Sequence, residues 1–260
     1  CTFWRKVWEK SSPLPTKKGG VGKTTSAVNI AASAGILGKK VLLIDLDPQG
    51  NTTSGVGINK KNLKATSYEI LIDEVEAEKA VIQTEFKNLS VIPSNISLAG
   101  AEFDLYQLDN REYRLKKQLA ALKDSYDYIF IDCPPSLGMI TVNALAAADA
   151  VIIPMQCEYY ALEGLSQLML TIRKIKQLYN PELEICGILI TMFNGRLILT
   201  MQVISELKKY YSDKLFKTPV SRNVKLSEAP GFGTPVYYHD KTSRGAAEYL
   251  EVAKELIDRI

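Results

Sequence analysis

Histidine is nearly absent from this chain: 260 residues contain one, His239. Alone among tyrosines and near a turn, it reads as structural rather than catalytic. Cysteine is sparse too. The four (Cys1, Cys133, Cys157, Cys186) form no CxxC pair and lie far apart. That excludes a disulfide framework and a zinc site, and suits reduced thiols in the cytosol. No apolar run reaches the length of a membrane span, and no segment resembles a signal peptide. Net charge is low: +3, with a pI near 8.5. A basic footprint for nucleic acid would therefore have to be local.

What is present is apolar material, 46% of residues, ample for one large domain or two small ones. "VLLIDLD" (41–47) is a continuous apolar run ending in acid, the pattern of a strand covered on both faces. "LSVIPS" (89–94), "YDYIFIDCPP" (126–135), "AVIIPMQ" (150–156) and "EICGILITMFN" (184–194) repeat it. Helical patterns fall between them, at 24–37, 98–123, 138–147, 161–179 and 200–211, with "KELIDRI" closing a last one. Alternating strands and helices predict one doubly wound α/β domain, with a mostly parallel sheet and helices on both faces. Ligands of such sheets sit beyond the carboxyl ends of the strands. Asp45, Asp47, Asp132 and Pro154 lie at or near such ends.

"KKGGVGKTT" (17–25) has the tail of a phosphate-binding loop, Gly22-Lys23-Thr24. Its glycines let backbone N–H groups converge on phosphate oxygens, and the following helix offers its positive end. Lys23 would reach the β- and γ-phosphates, and the Thr24 hydroxyl would bind Mg²⁺. The usual spacing places glycine at 17; this chain has Lys17, then a second lysine, Lys18, before Gly19-Gly20.

That loop, with "VLLIDLDPQGNTTSGVGI", "VIPSNISLAGAEFDL", "YDYIFIDCPPSLGMITVNALAAADAVIIPMQCEYYALEGLSQL" and "RNVKLSEAPGFGTPV", resembles the chromosome-partitioning ParA proteins. The closer likeness is to the Soj branch, within the class that includes MinD. The resemblance runs from about Lys17 to the C-terminus and implies a P-loop ATPase that uses ATP and Mg²⁺. Gly19, Gly20, Val21, Gly22, Lys23, Thr24 and Thr25 would hold the nucleotide. Lys18 would be the signature lysine that reaches the partner's nucleotide across an ATP-dependent homodimer. Asp47 would position the attacking water, and Asp132 would hold Mg²⁺ through water. Asp45 would lie near the Mg²⁺ shell, although an acid at a strand end can instead cap the next helix. Glu158 matches a residue that touches ribose across the dimer. Cys133 is similar to a cluster ligand of the related nitrogenase iron protein, but no matching second cysteine is present, so no iron–sulfur cluster is expected.

The resemblance further implies a cytoplasmic, nucleoid-associated switch. Its ATP dimer would bind nonspecific DNA and answer to a ParB-type centromere-binding protein. Arg196 and Lys225 match the DNA-contacting positions, and Arg222 is a neighbouring candidate. Lysine at 225 keeps the charge of the usual arginine without its bidentate fork. After Arg196 the chain reads "LILT" where the family tends to "TNLS", placing apolar residues in a polar loop. A MinD-like membrane-cycling ATPase is the alternative, as is a cargo-positioning relative. The former needs a basic amphipathic C-terminal helix, and 245–260 carries Glu248, Glu251, Glu255 and Asp258 against Lys254 and Arg259. No membrane partner is expected.

The family's first strand is not legible here. "SSPLPT" (11–16) has two prolines and no apolar run. Back-translated with permitted codons and read from the third base of the Trp8 codon, "WEKSSPLPTKK" yields Gly-Lys-Ile-Ile-Ala-Ile-Ala-Asn-Gln. Loss of one adenine at Lys17–Lys18 then restores the frame. The expected organisation is a non-native or irregular segment, 1–16, with 1–15 an irregular arm and the first strand missing or garbled. A single P-loop ATPase domain, 17–260, follows.

Overall fold

The computed structural model describes residues 21–134, 136 and 138–259, together with the backbone of Arg5–Trp8. Its sheet has seven strands: β1 Arg5–Trp8, β2 Val41–Asp45, β3 Ile82–Gln83, β4 Leu89–Ile92, β5 Tyr128–Asp132, β6 Ala150–Gln156 and β7 Glu184–Thr191. Their order is β3-β4-β2-β5-β1-β6-β7. All neighbours are parallel except β3, which runs antiparallel to β4 at the edge. This is the doubly wound α/β architecture expected.

The continuous apolar runs divide between two layers with the two-residue period of a strand. Leu42, Ile44, Ile129, Ile131, Val151 and Ile153 face one layer. The helices Met139–Ala147 and Ala161–Leu178 cover it through residues such as Ala144, Leu145, Leu165 and Ile172. Val41, Leu43, Phe130 and Ile152 face the other. There α1 (Lys23–Ile36) packs beside the C-terminal helix Arg244–Asp258, whose Tyr249, Val252, Ala253 and Leu256 are buried. With both faces covered, no strand position in the centre has a solvent side, hence runs such as "YIFID".

The helical pattern over 98–123 breaks into short pieces, among them Ala101–Leu105 and Arg114–Leu119. Asn110 lies between them at φ +50°, a left-handed conformation that asparagine tolerates and a helix cannot continue through.

The expectation of an irregular arm over 1–15 is corrected at Arg5–Trp8. Arg5–Trp8 run parallel between β5 and β6, Trp8 level with Asp132 and Ile152. The physical reason is that an open slot there would strand the main-chain donors and acceptors of two buried neighbours. Any extended backbone can pair them, whatever its side chains. Residues 9–20, including the prolines, lie outside the described residues.

Parallel pairing brings the strand ends to one edge. Asp45 stands opposite Asp132, and Gln156 opposite Thr191. The site is built on that edge.

Candidate functional site

The described part of the phosphate loop is its exit. Gly22 has φ +78°, a backbone that an L-residue adopts only with strain, and caps α1. The preceding carbonyl, Val21 O, accepts a 2.7 Å hydrogen bond from Thr191 Oγ1 at the end of β7. The loop exit is thus tied to the far half of the sheet. Lys23 is buried in the first turn of α1. Lys18, Gly19 and Gly20 lie outside the described residues. Thr25 borders a cavity described below.

Asp132, at the end of β5, is where the elements converge. Its Oδ2 accepts from Thr24 Oγ1 at 2.8 Å and from Thr52 Oγ1 at 2.6 Å. Its Oδ1 is buried with no hydrogen-bond partner among the described residues. Burial pushes the Asp132 carboxyl up most strongly; the Thr52 and Thr24 hydroxyls oppose this, Asp47 adds to it, and Lys23 counters it. A buried carboxylate oxygen without a donor is costly unless something else meets it. Among the described residues no group of three His, Cys, Asp or Glu is placed to hold a metal. Mg²⁺ needs no such cage, since it retains waters and uses one or two protein oxygens beside phosphates. Thr24 and Asp132 with its unmet oxygen fit that ion.

Asp45 stands opposite Asp132 at the neighbouring strand end. Oδ2 accepts from the Thr53 backbone N–H at 2.8 Å and from Thr53 Oγ1 at 2.7 Å; Oδ1 accepts from Asp47 N at 3.1 Å. It fastens the start of α2 (Asn51–Gly55). Complete burial, with the charge of Asp132 added, raises its carboxyl to about 7. Asp45 thus anchors Thr53, in the first turn of α2, and the Asp47 backbone.

Asp47 sits in the turn after β2, nearly buried, with Oδ1 accepting from Gln49 N at 2.9 Å. Glu158 is exposed in the loop after β6, where its backbone N–H bonds to Gln156 O. Arg196 and Arg222 occupy two adjoining loops beyond β7, and Lys225 lies in the short helix Val224–Glu228 that follows the second. A bridge between Phe193 and Ser221 joins the loops. Arg196 and Arg222 are exposed, and Lys225 is half-buried with Nζ 2.9 Å from Glu228 Oε2.

Two parts of the site escaped the sequence reading. One is Thr52-Thr53, whose hydroxyls clamp both buried aspartates; the signal was the pair of hydroxyls directly after "DPQGN". The other is a cavity of about 460 Å³ beside Gly22, lined by Thr25, Met192, Val220, Leu226, Pro230 and Tyr249. Met192 holds φ +49° there, an uncommon conformation for its type. The cavity's lining comes from four distant segments, and no local pattern announces it.

A phosphate-type loop exit, two aspartates at adjoining strand ends met by threonines of α1 and α2, and an apolar cavity together frame a nucleotide site. Comparison with known proteins agrees. Residues 13–185 match the family model described as AAA domain. The Soj sporulation initiation inhibitor protein of Bacillus subtilis is 53% identical over 243 residues, covering 94% of this chain and 96% of that protein. The chromosome partitioning protein ParA of Myxococcus xanthus is 50% identical over 246 residues, covering 95% and 87%. The chain belongs to the Soj/ParA family of chromosome-partitioning ATPases. Among solved structures, a putative plasmid partition protein of Borrelia burgdorferi bound to AMPPNP superposes with a TM-score of 0.80 at 29% identity, over all of both chains. Cobyrinic acid a,c-diamide synthase of Mycobacterium smegmatis with bound ADP and magnesium gives 0.82 at 35%, covering 98% of this chain and 94% of that one. No helix among the described residues is long and apolar enough to cross a membrane.

Proposed function

We propose that this protein is an ATP-hydrolysing switch that dimerises on ATP, binds nonspecific DNA in that state and drives chromosome or plasmid partition. The observation that carries the reading is Asp132, bonded through one oxygen to Thr24 and Thr52 while the other is buried and unmet among the described residues. Thr24 and Asp132 would hold Mg²⁺, which neutralises charge on the phosphates. Lys23 holds the β- and γ-phosphates at the start of α1. Asp47, fixed by Gln49 N, orients the water that attacks the γ-phosphate. Lys18 is assigned to the partner's nucleotide, so that hydrolysis waits for pairing, and Glu158 to its ribose. The cavity beside Gly22 and Thr25 takes the adenosine, with Met192, Val220 and Leu226 against the base.

Arg196, Arg222 and Lys225 meet DNA phosphates, and a ParB-type protein stimulates turnover. The setting is the cytoplasm, on the nucleoid. Membrane cycling is disfavoured by the C-terminal helix, whose apolar stripe of Tyr249, Val252 and Leu256 is buried within the domain. The test is retention on nonspecific DNA at fixed low salt with ATP, ADP or no nucleotide. Retention with ATP alone, abolished by replacing Arg196 and Lys225, is expected. ATP binding without DNA retention in any state would discard the partition reading.

A further inference from the structure

Residues 47–50 form a tight turn in which Gly50 N donates to Asp47 O at 2.8 Å. Gly50 then caps α2 with φ +61°. The chain runs through α2 and turns back: Gly57 N bonds to Ser54 O, Ile58 N to Thr53 O, and Lys61 N to Asn59 Oδ1 at 3.0 Å. This return lays Lys60 over the turn. Its Nζ donates to Gln49 O at 2.8 Å. Its stem rests on Gly50 so closely that a Cβ there would stand 2.5 Å from Lys60 Cδ and 2.9 Å from Ser94 O.

The two bonds of Gln49 form a relay. Its N–H is given to Asp47 Oδ1 and its carbonyl receives the Lys60 ammonium. Fixing the carbonyl restrains the neighbouring peptide, and with it the N–H that aims the Asp47 carboxylate. Bonds in such a chain also polarise one another. A flexible, half-buried lysine seated on a main-chain carbonyl is unusual, because ordering that side chain is entropically unfavourable. Among the described residues Lys60 makes no ion pair, so charge pairing does not account for its pose.

We infer that Lys60 is a positioning residue for ATP hydrolysis: it clamps the Asp47–Gly50 turn and sets the aim of Asp47. The inference rests on the reading of Asp47 as the residue that orients the attacking water. It concerns the chemical step and leaves nucleotide binding alone, since Lys23, Thr24 and the cavity lie on other elements.

The experiment measures hydrolysis of Mg·ATP, with nonspecific DNA present, for the full-length protein and its K60M, K60R and D47A forms. Nucleotide affinity and thermal unfolding are measured alongside. K60M is expected to lower kcat about tenfold, less than the roughly hundredfold that a 1 Å misplacement can cause. Its KM and melting temperature should stay at wild-type values, and K60R, which keeps a donor for Gln49 O, should recover most of the rate. Wild-type turnover in K60M beside an inactive D47A overturns the positioning role and leaves Asp47 standing. A fall in ATP affinity matching the fall in rate, unrescued by arginine, also overturns it. Full turnover in D47A removes the Asp47 reading, and the inference falls with it.

Discussion

The Tyr249 hydroxyl lies 2.8 Å from Ser26 Oγ, both buried and 223 residues apart in sequence. The contact locks the C-terminal helix to the helix that starts at the phosphate loop. Burial holds the Tyr249 phenol far above its ordinary pKa, with the Ser26 bond opposing that rise. It therefore stays a neutral hydrogen-bonding group at any working pH. Tyr249→Phe keeps the ring and leaves Ser26 Oγ without this partner, which is expected to cost about 1–3 kcal/mol. Urea unfolding measures the loss. Because the tyrosine also lines the cavity beside Gly22, ATP affinity should fall in the same variant.

A second prediction concerns acid. Asp73 is bonded by Gln118 Nε2 at 2.8 Å, Arg114 Nη1 at 2.5 Å and Lys117 Nζ at 2.9 Å. Burial alone would raise its carboxyl, but these three donors outweigh burial and hold it below the usual value. A carboxyl depressed by folding stabilises the protein above its unfolded pKa of about 3.9. That contribution fades as pH falls below 3.9 and through the lower, folded value. Asp73→Asn should lower stability at neutral pH by about 1 kcal/mol or more and flatten the acid limb of stability against pH. Urea midpoints taken from pH 7 to pH 3 check both. An acid limb unchanged in the variant would show that other carboxyls carry it.

The sheet was legible because β2, β5 and β6 are apolar up to their ends, a demand set by cover on both faces. The acids at their ends were legible because charge there interrupts that demand. What could not be read was the use of each acid. Asp45 and Asp132 end similar runs and stand opposite one another. Thr53 meets the first, whereas Thr24 and Thr52 meet one oxygen of the second and leave the other bare. That distinction belongs to threonines 8, 80 and 108 positions away from their aspartates. The cavity beside Gly22 was illegible for the same reason, since its walls meet only in the fold. The N-terminal strand misled in the opposite direction: sequence pattern weighs side chains, whereas an open slot in a sheet first asks for main chain.

The proposed DNA surface yields a salt prediction. Lys225 is paired with Glu228, both partly exposed, and His239 Nε2 stands 3.4 Å from the same carboxylate. A phosphate that takes Lys225 must displace an internal carboxylate rather than a free anion. In the wild type Lys225 therefore contributes less than a full share to the salt dependence. Glu228→Gln frees it, so ATP-state DNA binding should tighten at low salt. The slope of log K against log salt should steepen by up to about 0.9 on duplex DNA. Equal slopes in the two proteins would place Lys225 away from phosphate.

The N-terminal segment gives the last prediction. Between "YIFID" of β5 and "AVIIPMQ" of β6 the chain supplies Arg-Lys-Val-Trp as β1. A central parallel strand asks for apolar residues at every position, and this one offers two. Residues 9–20 then separate β1 from Val21, whereas a phosphate loop normally follows its strand at once. Both oddities vanish if residues 1–16 are an out-of-frame reading and Gly-Lys-Ile-Ile-Ala-Ile-Ala-Asn-Gln is the segment the gene encodes. Exchanging residues 1–16 for that segment should raise stability by at least about 3 kcal/mol, the scale of fully burying one or two more aliphatic side chains. Urea unfolding of the two chains side by side measures it. An exchanged chain no more stable than the original would mean that Arg5–Trp8 serve the slot as well as an apolar strand. Encoding DNA whose codons cannot spell the apolar strand would retire the frame reading outright.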